Sequence, residues 1–189
     1  MDSLSKLFGS PQRLKLLRLF FFNNDTTFTL ADAAFRSKIS KDQARAEIAQ
    51  LLQIGVVKKR GSGVKTEYQA ERKFEHYNAL HAFLRSTTSM KDATLLTILK
   101  RAGTLRLITL TGMFTGSLES KVDILVVGDR IEERTLKAAI HTIEAELGRE
   151  LRYASFLTPD FRYRAGVYDR LIRDVMYYSH RNILDKIGL

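Results

Sequence analysis

Leu30-Ala-Asp-Ala-Ala-Phe-Arg36 reads as a short helix and Ser37-Lys38-Ile39 as a turn. Ser40-Lys-Asp-Gln-Ala-Arg-Ala-Glu-Ile-Ala-Gln-Leu-Leu-Gln-Ile-Gly55 follows as a longer helix with its stop. Thr29, with Asp32 three residues on, supplies an N-terminus for the first helix. Ser40 and Gln43 match a capping box, in which side chain and backbone satisfy each other reciprocally. Gly55 permits the left-handed conformation that ends a helix. Ala44, Ile48, Leu51 and Leu52 share one face of the longer helix and are expected to pack inward. Lys41, Gln43, Arg45, Ala46 and Gln50 are left on the outer side. Val56-Val-Lys-Lys-Arg60 and Val64-Lys-Thr-Glu-Tyr68 then read as strands around a Gly61-Ser62-Gly63 turn, with Lys58, Lys59, Arg60 and Lys65 as its cations.

Upstream, Ser10-Pro11 opens another helix, because serine caps well and proline at the first helical position loses no hydrogen bond. Leu14, Leu17 and Phe21 give that helix an apolar face, and Asn23-Asn24-Asp25 breaks it. Three helices and a hairpin therefore occupy the N-terminal part of the chain.

The 189 residues suffice for one large domain or two small ones, with 44% hydrophobic and 28% charged residues. No apolar run reaches the length of a membrane span, and the start lacks a signal-peptide pattern. Cysteine is absent, which excludes disulfides and thiolate metal sites and fits a reducing cytoplasm. Formal net charge is +10 and unevenly spread: residues 1–90 carry 15 Lys/Arg against 8 Asp/Glu, residues 91–189 carry 16 against 13. The cationic excess thus accompanies the helices and hairpin.

Residues 8–75 resemble the winged helix-turn-helix of bacterial and archaeal transcription regulators. The resemblance implies that the helix beginning at Ser40 enters a DNA major groove, while the hairpin reaches phosphates or the minor groove. On that reading Ser40, Lys41, Gln43, Arg45, Gln50, Lys58, Lys59, Arg60 and Lys65 bind DNA. Gln is suited to adenine, Arg to guanine and Lys to phosphate or guanine. A solvated helix face and a lysine-protected edge hairpin are the plainer alternatives.

Beyond the hairpin, Phe74, Tyr77, Leu80, Phe83 and Leu84 recur at helical spacing within Glu71–Thr88, which reads as a packing or dimer helix. His76 and His81 are five apart, off the same-face spacing, so no metal pair is expected. Ser86–Ser89 is the candidate linker and Asp92–Arg101 a short helix ended by Gly103. The expected division is 1–75 for DNA binding, 76–103 as helical connector and 104–189 as a second domain.

In that second domain Thr104–Thr111, Lys121–Val127 and Glu150–Leu157 read as strands. Glu132–Leu147 and Tyr168–Tyr178 read as helices, and the tail His180–Leu189 as a short edge strand or a docked helix. The pattern is α+β. Gly116-Ser117, a spacer and Asp123 on a strand resemble the nucleotidyltransferase superfamily that includes DNA polymerase β. In that family two carboxylates separated by one residue hold metal ions that clamp a nucleoside triphosphate. Here the first position is Lys121, an ammonium that repels a metal, and the third strand offers only Glu150 at its edge. The resemblance therefore implies a small α/β domain without catalysis or metal, in which Gly116, Ser117 and Asp123 are vestigial. Thr115, Ser117 and Lys121 are the candidates for holding a nucleotide or phosphate without turnover, and no other cofactor is expected.

Pro159-Asp-Phe-Arg-Tyr-Arg164, with Tyr168, Arg170 and Arg173, forms an Arg/Tyr patch suited to nucleic acid, an acidic partner or a phosphorylated ligand. Asp160, Asp169 and Asp174 are at hand to pair within it. His141 is expected on the exposed side of its helix and His180 at a helix end, neither placed for catalysis. The composite expectation is α+β: a winged helix-turn-helix followed by a small nucleotidyltransferase-like domain. Functionally it is a homodimeric, sequence-specific double-stranded DNA-binding regulator of prokaryotic type in the cytoplasm, without membrane contact. The alternatives are a nucleotidyltransferase acting on protein or RNA, and an antitoxin-like autoregulator that grips a protein partner.

Overall fold

Side-chain caps set the starts of three helices in the first half. The computed structural model describes residues 3–117 and 119–188, apart from the Val64 side chain. The chain is mixed α+β with two small sheets and divides into two units. The first comprises Met1–Ser89 with His141–Arg149, the second Met90–Ile140 with Glu150–Leu189.

In the first unit a short helix α1 (Ser3–Leu7) precedes α2 (Pro11–Phe22), whose Ser10 cap accepts from the Arg13 amide at 3.0 Å. Strand β1 (Phe28–Thr29) leads directly into α3 (Leu30–Ser37), where Thr29 and Asp32 close a full capping box. Lys38 takes the left-handed conformation (φ 54°) that ends α3, although it is not a glycine. Helix α4 (Lys41–Ile54) starts in the Ser40/Gln43 box and stops at Gly55, φ 82°. Thr29→Ala removes one such cap and is expected to lower the stability of this unit by about 1 kcal/mol, read from the urea midpoint at unchanged slope.

Strands β2 (Val57–Arg60) and β3 (Glu67–Ala70) pair antiparallel, with Arg60 opposite Glu67, and β3 also pairs with β1. The second hairpin strand thus begins at Glu67 and not at Val64: a one-turn 3₁₀ helix, Gly63–Lys65, lengthens the loop beyond Gly-Ser-Gly. Helix α5 (Tyr77–Thr87) closes the unit. Leu16, Phe20, Phe21, Ile48, Leu51 and Leu84 are fully buried in one core, so the inward face of α4 packs as its periodicity requires.

The second unit opens with α6 (Asp92–Leu99) and β4 (Gly103–Leu110). Strand β5 (Ile124–Ile131) lies antiparallel to β4. Helix α7 (Glu133–Leu147) connects β5 to β6 (Tyr153–Leu157), which runs parallel to β5. Helices α8 (Thr158–Gly166) and α9 (Arg170–Tyr177) precede β7 (Arg181–Asp185), giving the sheet order β6-β5-β4-β7. The tail is therefore an edge strand; its last residue, Leu189, lies outside the described residues.

Several boundaries differ from the sequence reading. The second strand starts at Ile124, so Lys121 and Asp123 precede it and are not strand neighbours projecting from one face. Glu150 likewise precedes β6. The segment Thr158–Gly166 is a helix of its own; Thr158-Pro159 supplies its start, with proline in the first turn where no amide is needed. His141 is half-buried, not on an exposed side: its ring stacks on Phe35 at 4.6 Å, and its Nε2 lies 2.9 Å from the Phe35 carbonyl. A carbonyl can only accept, so that nitrogen carries the proton.

Candidate nucleic-acid interface

Helix α4 is held on α2 by a polar cluster that sequence spacing does not reveal. Ser10 Oγ donates to Glu47 Oε1 at 2.5 Å, Arg13 Nε donates to Glu47 Oε2 at 2.8 Å, and Arg13 also donates to the Gln50 side-chain oxygen. Glu47 is thereby both a cap partner and an ion-pair partner of α2. These bonds fix the rotation of α4 and leave Asp42, Arg45, Ala46, Ala49 and Gln53 exposed as one stripe along it. The small Ala46 and Ala49 let a binding surface approach the helix closely.

The nine candidate contact residues fall into two groups. Ser40 and Gln43 are engaged in the capping box, where the Gln43 oxygen accepts from the Ser40 amide at 3.0 Å; its amide nitrogen is left to donate. Gln50 is tied to Arg13. Arg45, with its side chain 65% exposed, donates one bond to Asp42 at 2.7 Å. On the hairpin Lys58 is half-buried and pairs with Glu71 at 3.1 Å, and Arg60 donates to Gln69 across the strands at 3.1 Å. The Lys73 amide and the Lys58 ammonium hold the Glu71 carboxyl below its ordinary range. Lys41, Lys59 and Lys65 are exposed, and among the described residues their side chains have no hydrogen-bond or ion-pair partner.

The hairpin is positioned from its inner side. Val56 and Val57 enter the core, and the Val56 amide donates to Leu51 of α4 at 3.2 Å. Gln69 donates to the Asn24 carbonyl at 2.8 Å and Arg72 pairs with Asp25 at 2.5 Å, so β3 is fastened to the loop before β1. The loop residues 61–63 and Lys65 stay exposed.

In the second unit Asp123 is buried, 3% exposed, and accepts four bonds. They come from the Met113 amide (2.9 Å), the Arg152 amide (2.9 Å) and Arg152 Nε (3.1 Å) and Nη2 (2.9 Å). Burial alone would raise its pKa; the Arg152 guanidinium and the two amides outweigh it and keep the carboxyl below the usual aspartate range. Gly112 makes room: with φ 53°, a Cβ there would stand 2.2 Å from Asp123 Oδ1. Asp123 is thus committed to a structural ion pair. The sequence leaves Asp123 open to capping or to pairing with Lys121 or an arginine; it does not say which arginine, because the pair joins segments 29 residues apart.

The three phosphate candidates Thr115, Ser117 and Lys121 bond to groups other than the Asp123 carboxylate. The Thr115 hydroxyl donates to the Ser179 carbonyl at 2.7 Å, and the Ser117 carbonyl accepts from the Ser120 amide at 3.1 Å. The Lys121 amide donates to Asp174 at 3.0 Å while its side chain is exposed. In the Arg/Tyr patch Arg164 pairs with Asp169 at 2.9 Å, and Asp169 caps α9. His180 Nδ1 lies 2.9 Å from the Tyr178 carbonyl. Among the described residues no three His, Asp or Glu side chains gather to hold a metal ion, and no helix is long and apolar enough to cross a membrane. The chain matches no protein-family model, no curated protein and no solved structure.

Proposed function

We propose that this chain binds double-stranded DNA through α4 and the β2–β3 hairpin, as a transcriptional regulator of prokaryotic type with a winged helix-turn-helix over residues 8–75. The observation that carries this reading is the set of exposed cations Lys41, Lys59 and Lys65. They lie at the start of α4 and around the hairpin, beside a helix stripe that includes two alanines. Lysines without protein partners meet phosphates with little desolvation or rearrangement, and small side chains admit base edges and thymine methyls. Arg45 and the free amide nitrogen of Gln43 are the base-reading groups. Lys58, Arg60 and Gln50 chiefly hold the frame.

The second unit serves in this proposal as a dimerisation or sensing module with the character of a pseudoenzyme. The lone pairs of Asp123 are taken by Arg152 and two amides. A homodimer follows from area, since a single small DNA-binding module covers only about 600–1,000 Å² of protein surface. Sedimentation should give twice the 21.6 kDa chain mass.

The test is fluorescence anisotropy with a labelled duplex across a salt series. Affinity is expected to fall linearly in log–log form, by about 0.9 decade per decade of salt for each phosphate contacted. Absent or salt-independent binding would reject the proposal. Asp42→Asn should tighten binding several-fold, because it removes an anion at the contact face and frees Arg45; unchanged or weakened affinity would argue against α4 as the contact helix.

A further inference from the structure

We propose that the second unit binds a nucleoside phosphate in a cleft against α9, at a site distinct from the Gly116-Ser117 turn. The cleft has a volume of about 440 Å³ and is lined by Glu119, Lys121, Arg170, Arg173, Asp174, Tyr177 and Tyr178. That size is within the range of small-molecule sites. Of the three residues that sequence reading offered for a phosphate, Lys121 alone is among these lining residues.

Three kinds of group converge here. Arg170, Arg173 and Tyr177, at i, i+3 and i+7, lie along one face of α9. Lys121 is brought opposite by the bond from its own amide to Asp174, which ties its loop to the helix. The side chains of Lys121, Arg170 and Arg173 are exposed and have no partner among the described residues, so one ammonium and two guanidinium groups stand free for an anion. Tyr177 is 82% exposed and meets Tyr178 edge-to-face, with ring centroids 5.3 Å apart. An aromatic side chain left this open is a surface on which a flat ring can stack.

The two carboxylates decide the ligand class. A bare phosphate or pyrophosphate entering the cleft meets three cations but also Glu119 and Asp174, which repel it. A nucleoside phosphate has its charge at one end and neutral donors elsewhere. Its phosphates fit the Lys/Arg groups, its sugar hydroxyls or base amino group can donate to the carboxylates, and its base can stack on Tyr177. The ligand is held without transfer, since no reacting step is available from these groups.

Calorimetric titration of the full chain with each of the four ribonucleoside triphosphates, with pyrophosphate and with adenosine tests this. At least one triphosphate is expected to bind with a Kd below about 100 μM, at least tenfold tighter than pyrophosphate or adenosine. The doubly substituted K121A/R173A chain should lose that affinity at least tenfold, and Y177A should bring the triphosphate down to the level of pyrophosphate. Both changes are at exposed side chains, so the melting temperature without ligand should hold. The proposal is overturned if no triphosphate binds below 1 mM, if pyrophosphate binds as tightly, or if K121A/R173A binds like the unaltered chain. DNA binding by these variants is expected to be intact, so failure here and failure of the DNA reading are separable.

Discussion

Replacing Lys41, Lys59 and Lys65 together by alanine is expected to reduce duplex-DNA affinity by about 100- to 1,000-fold for each bound protomer at 0.1 M salt. The size follows from counterion release: each phosphate neutralised contributes a slope of about 0.9 in log K against log salt, hence close to one decade at that concentration. Three lost contacts should also flatten the slope by about 3 for each bound protomer. The three side chains have no partner among the described residues, so their removal breaks nothing inside the protein, and thermal stability should change little. Lys58→Ala and Arg60→Ala offer the contrast. Each removes a bond within the hairpin, to Glu71 and Gln69 respectively, and is expected to lower affinity mainly by loosening the loop. Anisotropy at four salt concentrations separates the cases. A triple variant with the original slope would mean that DNA, if bound, is held elsewhere on the chain.

The N-terminal helices were legible because their determinants are local. Ser10-Pro11, Thr29/Asp32 and Ser40/Gln43-to-Gly55 each specify a helix end within a few residues, and the chain obeys them. The hairpin was legible in kind but not in register. Thr66 donates from both its amide and its hydroxyl to the Gly63 carbonyl, turning the segment once more before β3 begins. In the second unit the near-continuous apolar character of Lys121–Val127 points to a buried strand, which begins at Ile124. The Asp123 backbone still bonds Thr111 on one side and Arg152 on the other, while its side chain pairs with Arg152, a partner 29 residues away that no spacing announces. The engagement of Gln50 by Arg13 and of Lys58 by Glu71 was hidden for the same reason: long-range polar pairing leaves no periodic trace. On α4 the outward-facing residues could be read from periodicity, but which of them stand unpaired could not.

Asp123→Asn should destabilise the second unit by about 2–4 kcal/mol despite being nearly isosteric. All four bonds at this carboxylate are donated to it, so the position is purely an acceptor. An asparagine turns one acceptor into an NH₂ that faces other N–H groups, and at 3% exposure water cannot relieve the clash. Arg152→Ala removes two of the donors but leaves the Met113 and Arg152 amides in place. Because the Arg152 side chain is half exposed, its loss is screened and should be smaller, about 1 kcal/mol. The pH dependence gives an independent check. Folding lowers the Asp123 pKa, so its contribution is complete above the unfolded value near 3.8 and disappears as pH falls through the lower folded value. The stability gap between the unaltered chain and Asp123→Asn should therefore be constant near neutrality and narrow below about pH 4. Chemical denaturation at several pH values reads both effects. A metal-binding or reacting carboxylate would behave in the opposite way: its substitution would spare stability and abolish an activity. An Asp123→Asn chain as stable as the original at pH 7 would show that this aspartate is not the structural pair inferred from its four bonds.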